Sequence, residues 1–307
     1  MQKAYISALY KLLKEDKNVI SCLSDSGTDY DDMIARELPD QVINFGISEN
    51  NKVAAASGLA SQGKIPFVYT TNAFIAYRSY EFVRDDICLQ NRNVKLVGMG
   101  SNLAWSTLGC THHTTEDVGA LRSLPNLVLL NPASPKELEK CINEAYKIKG
   151  PVYIRMGMSG EEEIYEDDYK FKIGKNNIVR EGKDGVIFTT GSIISEVLKA
   201  VDKLSDNGTS FEVVNVCSLK PFDNKSVSDE CKKHKIIFSV EEHNIIGGLG
   251  SIIADVIAEN GLSTKLVKIG LNDTFAEGYG THQEILEMNK LDANNIYKKI
   301  KKAISTK

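Results

Sequence analysis

Short, almost uninterrupted apolar runs recur along the chain, and they restrict its folding options more than any other feature. Val19–Leu23, Val42–Phe45, Phe67–Thr70, Val94–Met99, Leu127–Asn131 and Val152–Met156 each have the length of a strand but no polar face. Strands of that kind are buried on both sides, as in a parallel sheet covered by helices. Segments of helical period lie between them, at Glu49–Gln62, Ser79–Gln90, Thr115–Arg122 and Pro135–Lys147. The alternation predicts right-handed crossovers and a doubly wound α/β sheet. The leading residues, MQKAYISALYKLLKEDKNV, show an amphipathic helix pattern without the apolar core or cleavage site of a signal peptide.

A charged, weakly periodic stretch follows, Ser159–Asn177, and reads as a linker. Alternation then resumes with Val186–Thr190, a helix over Ser195–Leu204, Phe211–Val216, Ile236–Val240, a helix from Gly250 to Asn260, and Leu266–Ile269. The expected fold is therefore two doubly wound parallel-sheet α/β domains, one over residues 1–160 and a smaller one over 178–307, joined by a linker at 161–177. A chain of 307 residues can bury both cores. Its 37 basic and 41 acidic side chains nearly balance, which argues against a nucleic-acid partner. No window approaches the roughly 18 apolar residues of a membrane span. Six scattered cysteines without a C-x-x-C pair read as reduced, buried thiols of a cytoplasmic protein.

Four segments carry candidate chemistry. Glu49 follows a buried strand and opens an Ala-rich helix, the place where doubly wound sheets bind ligands. The helix dipole alone also favours an acid there. Phe74, Tyr77, Tyr80 and Arg84 fall at helical spacings after a strand end. Their rings could stack on a planar heterocycle, and the same spacing also describes a core stripe. His112 and His113 sit in a glycine-bearing loop, LGCTHHTTED, just before a helix. They are general acid/base candidates or solvated loop residues. The fourth segment, EEHNIIGGLG (241–250), links a strand to a helix through glycines at a spacing that is not G-x-G-x-x-G.

Taken in order, these stretches resemble the transketolase family, most closely the C-terminal subunit of split transketolases. FGISEN (45–50) resembles the motif that carries the catalytic glutamate, which assigns that role to Glu49. FIAY (74–77) resembles the aromatic stretch packed on the aminopyrimidine of thiamine diphosphate, and CTHH (110–113) resembles the T-H-Q loop whose histidine faces the substrate. VYIR (152–155) resembles the strand end bearing an arginine for the sugar phosphate, while VEEHNIIGGLG (240–250) and LNDTFAE (271–277) resemble stretches of the C-terminal domain. The resemblance implies catalytic roles for Glu49 and His112. It implies cofactor binding by Glu49, Phe74, Tyr77 and Asp25, and substrate binding by His112, His113 and Arg155. Glu49, protonated in an apolar pocket of Phe45, Phe74 and Tyr77, would shift the pyrimidine to the imino form that serves as the cofactor's own base.

The family holds the diphosphate through Mg²⁺ and a G-D-G motif, and this sequence has none; the nearest string is GKDG (182–185). The Mg²⁺ ligands are therefore expected on a partner subunit, in an α2β2 assembly acting on sugar phosphates or modified sugars, with no metal held by this chain. Thr71, Leu108 and Gly100 stand where the family has a pocket phenylalanine, an acid and a histidine, so the expected donor site is less polar than that of pentose-phosphate transketolases. Competing readings are the beta subunit of a 2-oxo acid dehydrogenase, a deoxyxylulose-phosphate-synthase-like activity, and a non-catalytic scaffold subunit.

Overall fold

The computed structural model describes residues 1–24, 29–158, 161–166 and 168–305, the side chains of 29–31 excepted. The first half contributes strands β1 (Val19–Leu23), β2 (Val42–Asn44), β3 (Ile65–Thr71), β4 (Lys95–Met99), β5 (Val128–Leu130) and β6 (Val152–Met156). Its helices are α1 (Gln2–Glu15), α2 (Asp29–Glu37), α3 (Glu49–Ser61), the single turn α4 (Tyr80–Phe82), α5 (Asp117–Leu121) and α6 (Pro135–Lys147). The second half adds β7 (Asn177–Arg180), β8 (Gly185–Thr189), β9 (Phe211–Asn215), β10 (Ser218–Lys220), β11 (Ile236–Asn244) and β12 (Lys265–Leu271). Its helices are α7 (Ile194–Ser205), α8 (Asn224–Lys233), α9 (Leu249–Glu259), α10 (His282–Met288) and α11 (Ala293–Ser305). None of these helices is long and apolar enough to cross a membrane.

Two parallel-dominated sheets result, ordered β10-β5-β6-β4-β3-β1-β2 and β12-β11-β8-β9-β7. Each has one antiparallel edge: β10 runs against β5, and β7 against β9. The short edge strands were not legible as apolar runs. Strand alternation explains why the central strands are apolar throughout. In β1, Ile20 and Cys22 enter one core cluster while Val19 and Leu23 enter another on the opposite face. β3 and β4 divide in the same way, with Val68 and Leu96 on one side and Phe67, Tyr69, Val97 and Met99 on the other.

The first of these clusters does not stop at the domain boundary. It continues through Val186, Phe188, Val214, Ile237 and the buried face of α9. Gly119 of α5 allows this close approach: a Cβ at Gly247 would lie 2.8 Å from the Gly119 Cα. The stretch expected to be a plain linker is also engaged. Tyr165 and Tyr169 stack with centroids 3.6 Å apart, and Tyr169 donates to buried Glu137 at 2.6 Å.

A second difference lies at Ser79–Gln90. The expected α-helix is replaced by π-helical turns at Phe74–Arg78 and Val83–Leu89 around the short α4. In the first turn, Ser79 N–H donates to the Phe74 carbonyl five residues back at 3.1 Å. Such widened turns concentrate at functional sites.

Candidate active site

Glu49 is the first residue of α3. The chain reaches it through a tight turn in which the Asn44 side chain accepts from Gly46 N–H at 2.8 Å and Ser48 Oγ donates to the Phe45 carbonyl at 2.6 Å. Gly46 takes φ +61°, a left-handed backbone. Glu49 is 4% exposed. Its carboxylate accepts from Arg78 Nη1 at 2.8 Å. The expected apolar pocket around this acid is therefore not what the chain presents: an arginine guanidinium fills that role, while Phe45 and Phe74 are only half-buried. One turn further along α3, Lys52 is wholly buried. Its ammonium donates to Ser24 Oγ and to the Tyr69 carbonyl. Burial brings that amine down to about 8, against the upward pull of Glu49.

The π-helical turn aims its side chains in several directions. Phe74 carries the Arg78 guanidinium over its ring, 4.0 Å from the centroid, and meets the His112 ring edge-on at 5.4 Å. Tyr77 points aside, donating to Glu116 at 2.6 Å and accepting from the Glu116 N–H at 3.1 Å. Tyr80 reaches the Ala120 carbonyl at 3.4 Å, and Arg84 pairs with neighbouring Asp85 at the surface. The wider turn thus separates the four residues that even α-helical spacing would have aligned.

The loop bearing the two histidines closes through a bridge between Asn102 and Thr114. His112 stands at the rim with Nδ1 3.0 Å from Thr111 Oγ1, and Trp105 lies edge-on to it at 6.3 Å. His113 turns inward to 3% exposure, and neither ring nitrogen makes a hydrogen bond of normal geometry. Burial first, with the nearby His282, holds this imidazole below its ordinary range despite Glu242 and Glu116.

Arg155 does not reach the site surface. It is 1% exposed and grips Asp117 twice, Nε to Oδ2 at 2.7 Å and Nη2 to Oδ1 at 2.8 Å. Nη2 also donates to the Thr114 carbonyl at 3.1 Å. The expected contact with a substrate phosphate is corrected accordingly: the guanidinium is committed to the protein interior, beneath the histidine loop. Asp117, noticed in the sequence only as a helix start, is fully buried and also takes Tyr153 Oη at 2.7 Å. Burial penalises its charge, yet Arg155 outweighs that and keeps the carboxyl below the usual range. Asp25 lies outside the described residues. Among the described residues no group of three His, Cys, Asp or Glu side chains is placed to hold a metal.

The EEHNIIGGLG stretch resolves into packing and anchoring. Glu241 accepts from the N–H groups of Leu249 at 2.6 Å and Gly250 at 2.9 Å, capping α9 from within. A Cβ on Gly248 would sit 2.0 Å from that carboxylate. Glu242 accepts from His282 Nε2 at 2.8 Å and from the Leu103 N–H at 3.3 Å, tying the second domain to the base of the histidine loop. The cavity of about 280 Å³ between the halves opens behind this pair, and neither Glu49, Phe74 nor His112 lines it.

Residues 1–159 match the model described as "Transketolase, pyrimidine binding domain", and residues 174–296 the one described as "Transketolase, C-terminal domain". The chain belongs to the transketolase family. It is 37% identical to one of the two chains of the apulose-4-phosphate transketolase of Actinobacillus succinogenes, over 85% of this chain and 84% of that one. It is 30% identical to a 6-deoxy-6-sulfo-D-fructose transketolase subunit of Clostridium sp. strain MSTE9, over 90% and 86%. A split-gene transketolase, solved as an inactive β4 tetramer, superimposes with a TM-score of 0.91 at 33% identity, over 99% of this chain and 98% of that one. Within the transketolase fold, the position set against the family's loop histidine, Gly100, adopts φ +72° under the Trp105 indole. A Cβ there would fall 2.2 Å from Trp105 Nε1. The indole fills the space, with Nε1 donating to the Met99 carbonyl at 3.3 Å. Arg78, Lys52, Trp105, Asp117, Glu242 and His282 are the residues of this region that sequence reasoning passed over. Only Asp117, two residues beyond Thr115 at a helix start, carried a local signal.

Proposed function

We propose that this chain is the pyrimidine-site subunit of a two-subunit transketolase, moving a two-carbon ketol unit from a ketose to an aldehyde. The observation that carries the reading is a buried carboxyl, Glu49, opening α3 beside the accessible ring of Phe74 and within reach of His112's loop. A hydrogen-bonding acid and an aromatic face are the pair of groups an aminopyrimidine requires, so the residues fit thiamine diphosphate. When bound, that cofactor supplies the electron sink for C–C cleavage. Glu49 holds a proton at the pyrimidine N1′, Phe74 and Tyr77 bound the ring, and His112 exchanges protons with substrate hydroxyls. Trp105 excludes water from that side and offers an apolar wall.

No G-D-G string occurs in the sequence, so Mg²⁺ and the diphosphate fall to a partner chain that carries one, in an α2β2 complex. Six free cysteines suit a cytoplasmic enzyme. Gly100, Leu108 and Trp105 favour a sugar with fewer hydroxyls, or with a modified end, over the common pentose phosphates. The test is ketol transfer by the purified chain combined with a G-D-G-bearing partner. A panel of ketose donors should give turnover that requires both chains, thiamine diphosphate and Mg²⁺, with xylulose 5-phosphate among the slow donors. Transfer of acyl units to a lipoyl domain, without ketol transfer, would move the chain to the 2-oxo acid dehydrogenases.

A further inference from the structure

Arg78 stands four residues after Phe74 in the π-helical turn. Its guanidinium lies over the Phe74 ring at 4.0 Å and donates to Glu49 Oε2 at 2.8 Å. One planar, N–H-bearing group therefore stacks on Phe74 and hydrogen-bonds Glu49 at the same time. These are the two contacts that the proposed function gives to an aminopyrimidine, itself a planar group with a nitrogen directed at Glu49. A single carboxylate oxygen and a single ring face cannot serve both.

We propose that Arg78 is a placeholder in the pyrimidine site, occupying Phe74 and Glu49 in the free chain and leaving when the cofactor binds. The proposal rests on the assignment of Glu49 and Phe74 made above. The exit is open, because the Arg78 side chain is 48% exposed and can turn into solvent without disturbing the core. Until it leaves, a buried acid has a cationic partner rather than standing alone in the apolar interior. Its departure removes the guanidinium that favours a charged Glu49, and leaves buried Lys52 as the remaining neighbouring cation. Cofactor entry and the release of Glu49 for proton transfer are thus one exchange.

Calorimetry on the complex reconstituted with its partner, using thiamine diphosphate and Mg²⁺, tests the exchange without reference to turnover. Arg78→Ala should tighten cofactor binding on the order of tenfold, the combined scale of one exposed cation–π contact and one half-exposed ion pair. Arg78→Lys, which keeps a charge for Glu49 but not the planar stack, should fall between the variant and the wild type. Weaker or unchanged binding in Arg78→Ala, with normal binding by the wild type, overturns the placeholder and leaves the proposed function standing. No binding by either complex overturns both.

Discussion

A single carboxyl is held in two different ways within this site, and substitutions separate them. Glu49→Gln keeps the size of the side chain but ends the ion pair with Arg78 and the proton relay proposed at N1′. The variant should fold, pair with its partner and lose most ketol transfer, on the order of a hundredfold or more; near-normal turnover would take Glu49 out of the mechanism. Asp117 is instead structural. Asp117→Asn leaves Arg155 buried with an uncompensated charge, so denaturant unfolding should show a loss of about 3–5 kcal/mol. A change within experimental error would mean that Arg155 finds another partner. These residues differ in how far the sequence announced them. Glu49 and His112 sit in recognisable strings, because the chemistry demands those residues at those points of the chain. Arg78 and Asp117 act through directions of approach, which a string does not carry. Arg155 was misread for the same reason: a strand-end arginine looks identical whether it faces solvent or Asp117.

At the scale of elements, the second domain's part in the site lies in the pair Glu242–His282, brought from β11 and the start of α10 to the base of the 102–114 loop. His282 is partly desolvated, which lowers its affinity for a proton, but Glu242 reverses that and raises it above the ordinary 6.5, with Glu161 and Glu196 adding to the effect. Glu242 moves the opposite way, below 4.5, once His282 and its hydrogen bonds outweigh burial. A raised histidine contributes its stabilisation fully below its unfolded value and loses it as pH rises through the folded one. A depressed carboxyl loses its share as pH falls through its own folded value. The pair is therefore strongest between those limits, and it should release the loop on the alkaline side. Amide-exchange protection at residues 101–106 should fall between pH 7 and 9, and His282→Asn should show low protection throughout; a flat profile in the wild type would separate the loop from this pair. Central strands such as β1 and β6 were legible to the residue, since double burial leaves an unbroken apolar run. The π-helical turns were not: a period near 3.6 and a wider one are hard to tell apart over five residues.

For the whole molecule, the α/β alternation read from the sequence is the architecture found, while the way its two halves join was invisible before the structure. The shared cluster from Ile20 to Val256 and the antiparallel β10 on the first sheet depend on contacts far apart in the chain. The isolated chain should bind thiamine diphosphate poorly, and Mg²⁺ with the cofactor should tighten its complex with the partner, because a ligand that binds only the assembled site favours assembly by mass action. Titration calorimetry on the chain alone and on the pair measures both, and tight Mg²⁺-dependent binding by the chain alone would overturn the two-subunit reading. The placement of β10 has a bearing on synthesis. During translation the first sheet's β5 can be complete while its outer edge still lacks its neighbour, since Ser218–Lys220 emerge much later. At roughly 5–20 residues per second, that edge waits several seconds with open hydrogen-bonding groups. Open edges recruit other strands. A nascent chain stalled before Ser218 should accordingly be a better client for holding chaperones than one released after Lys220.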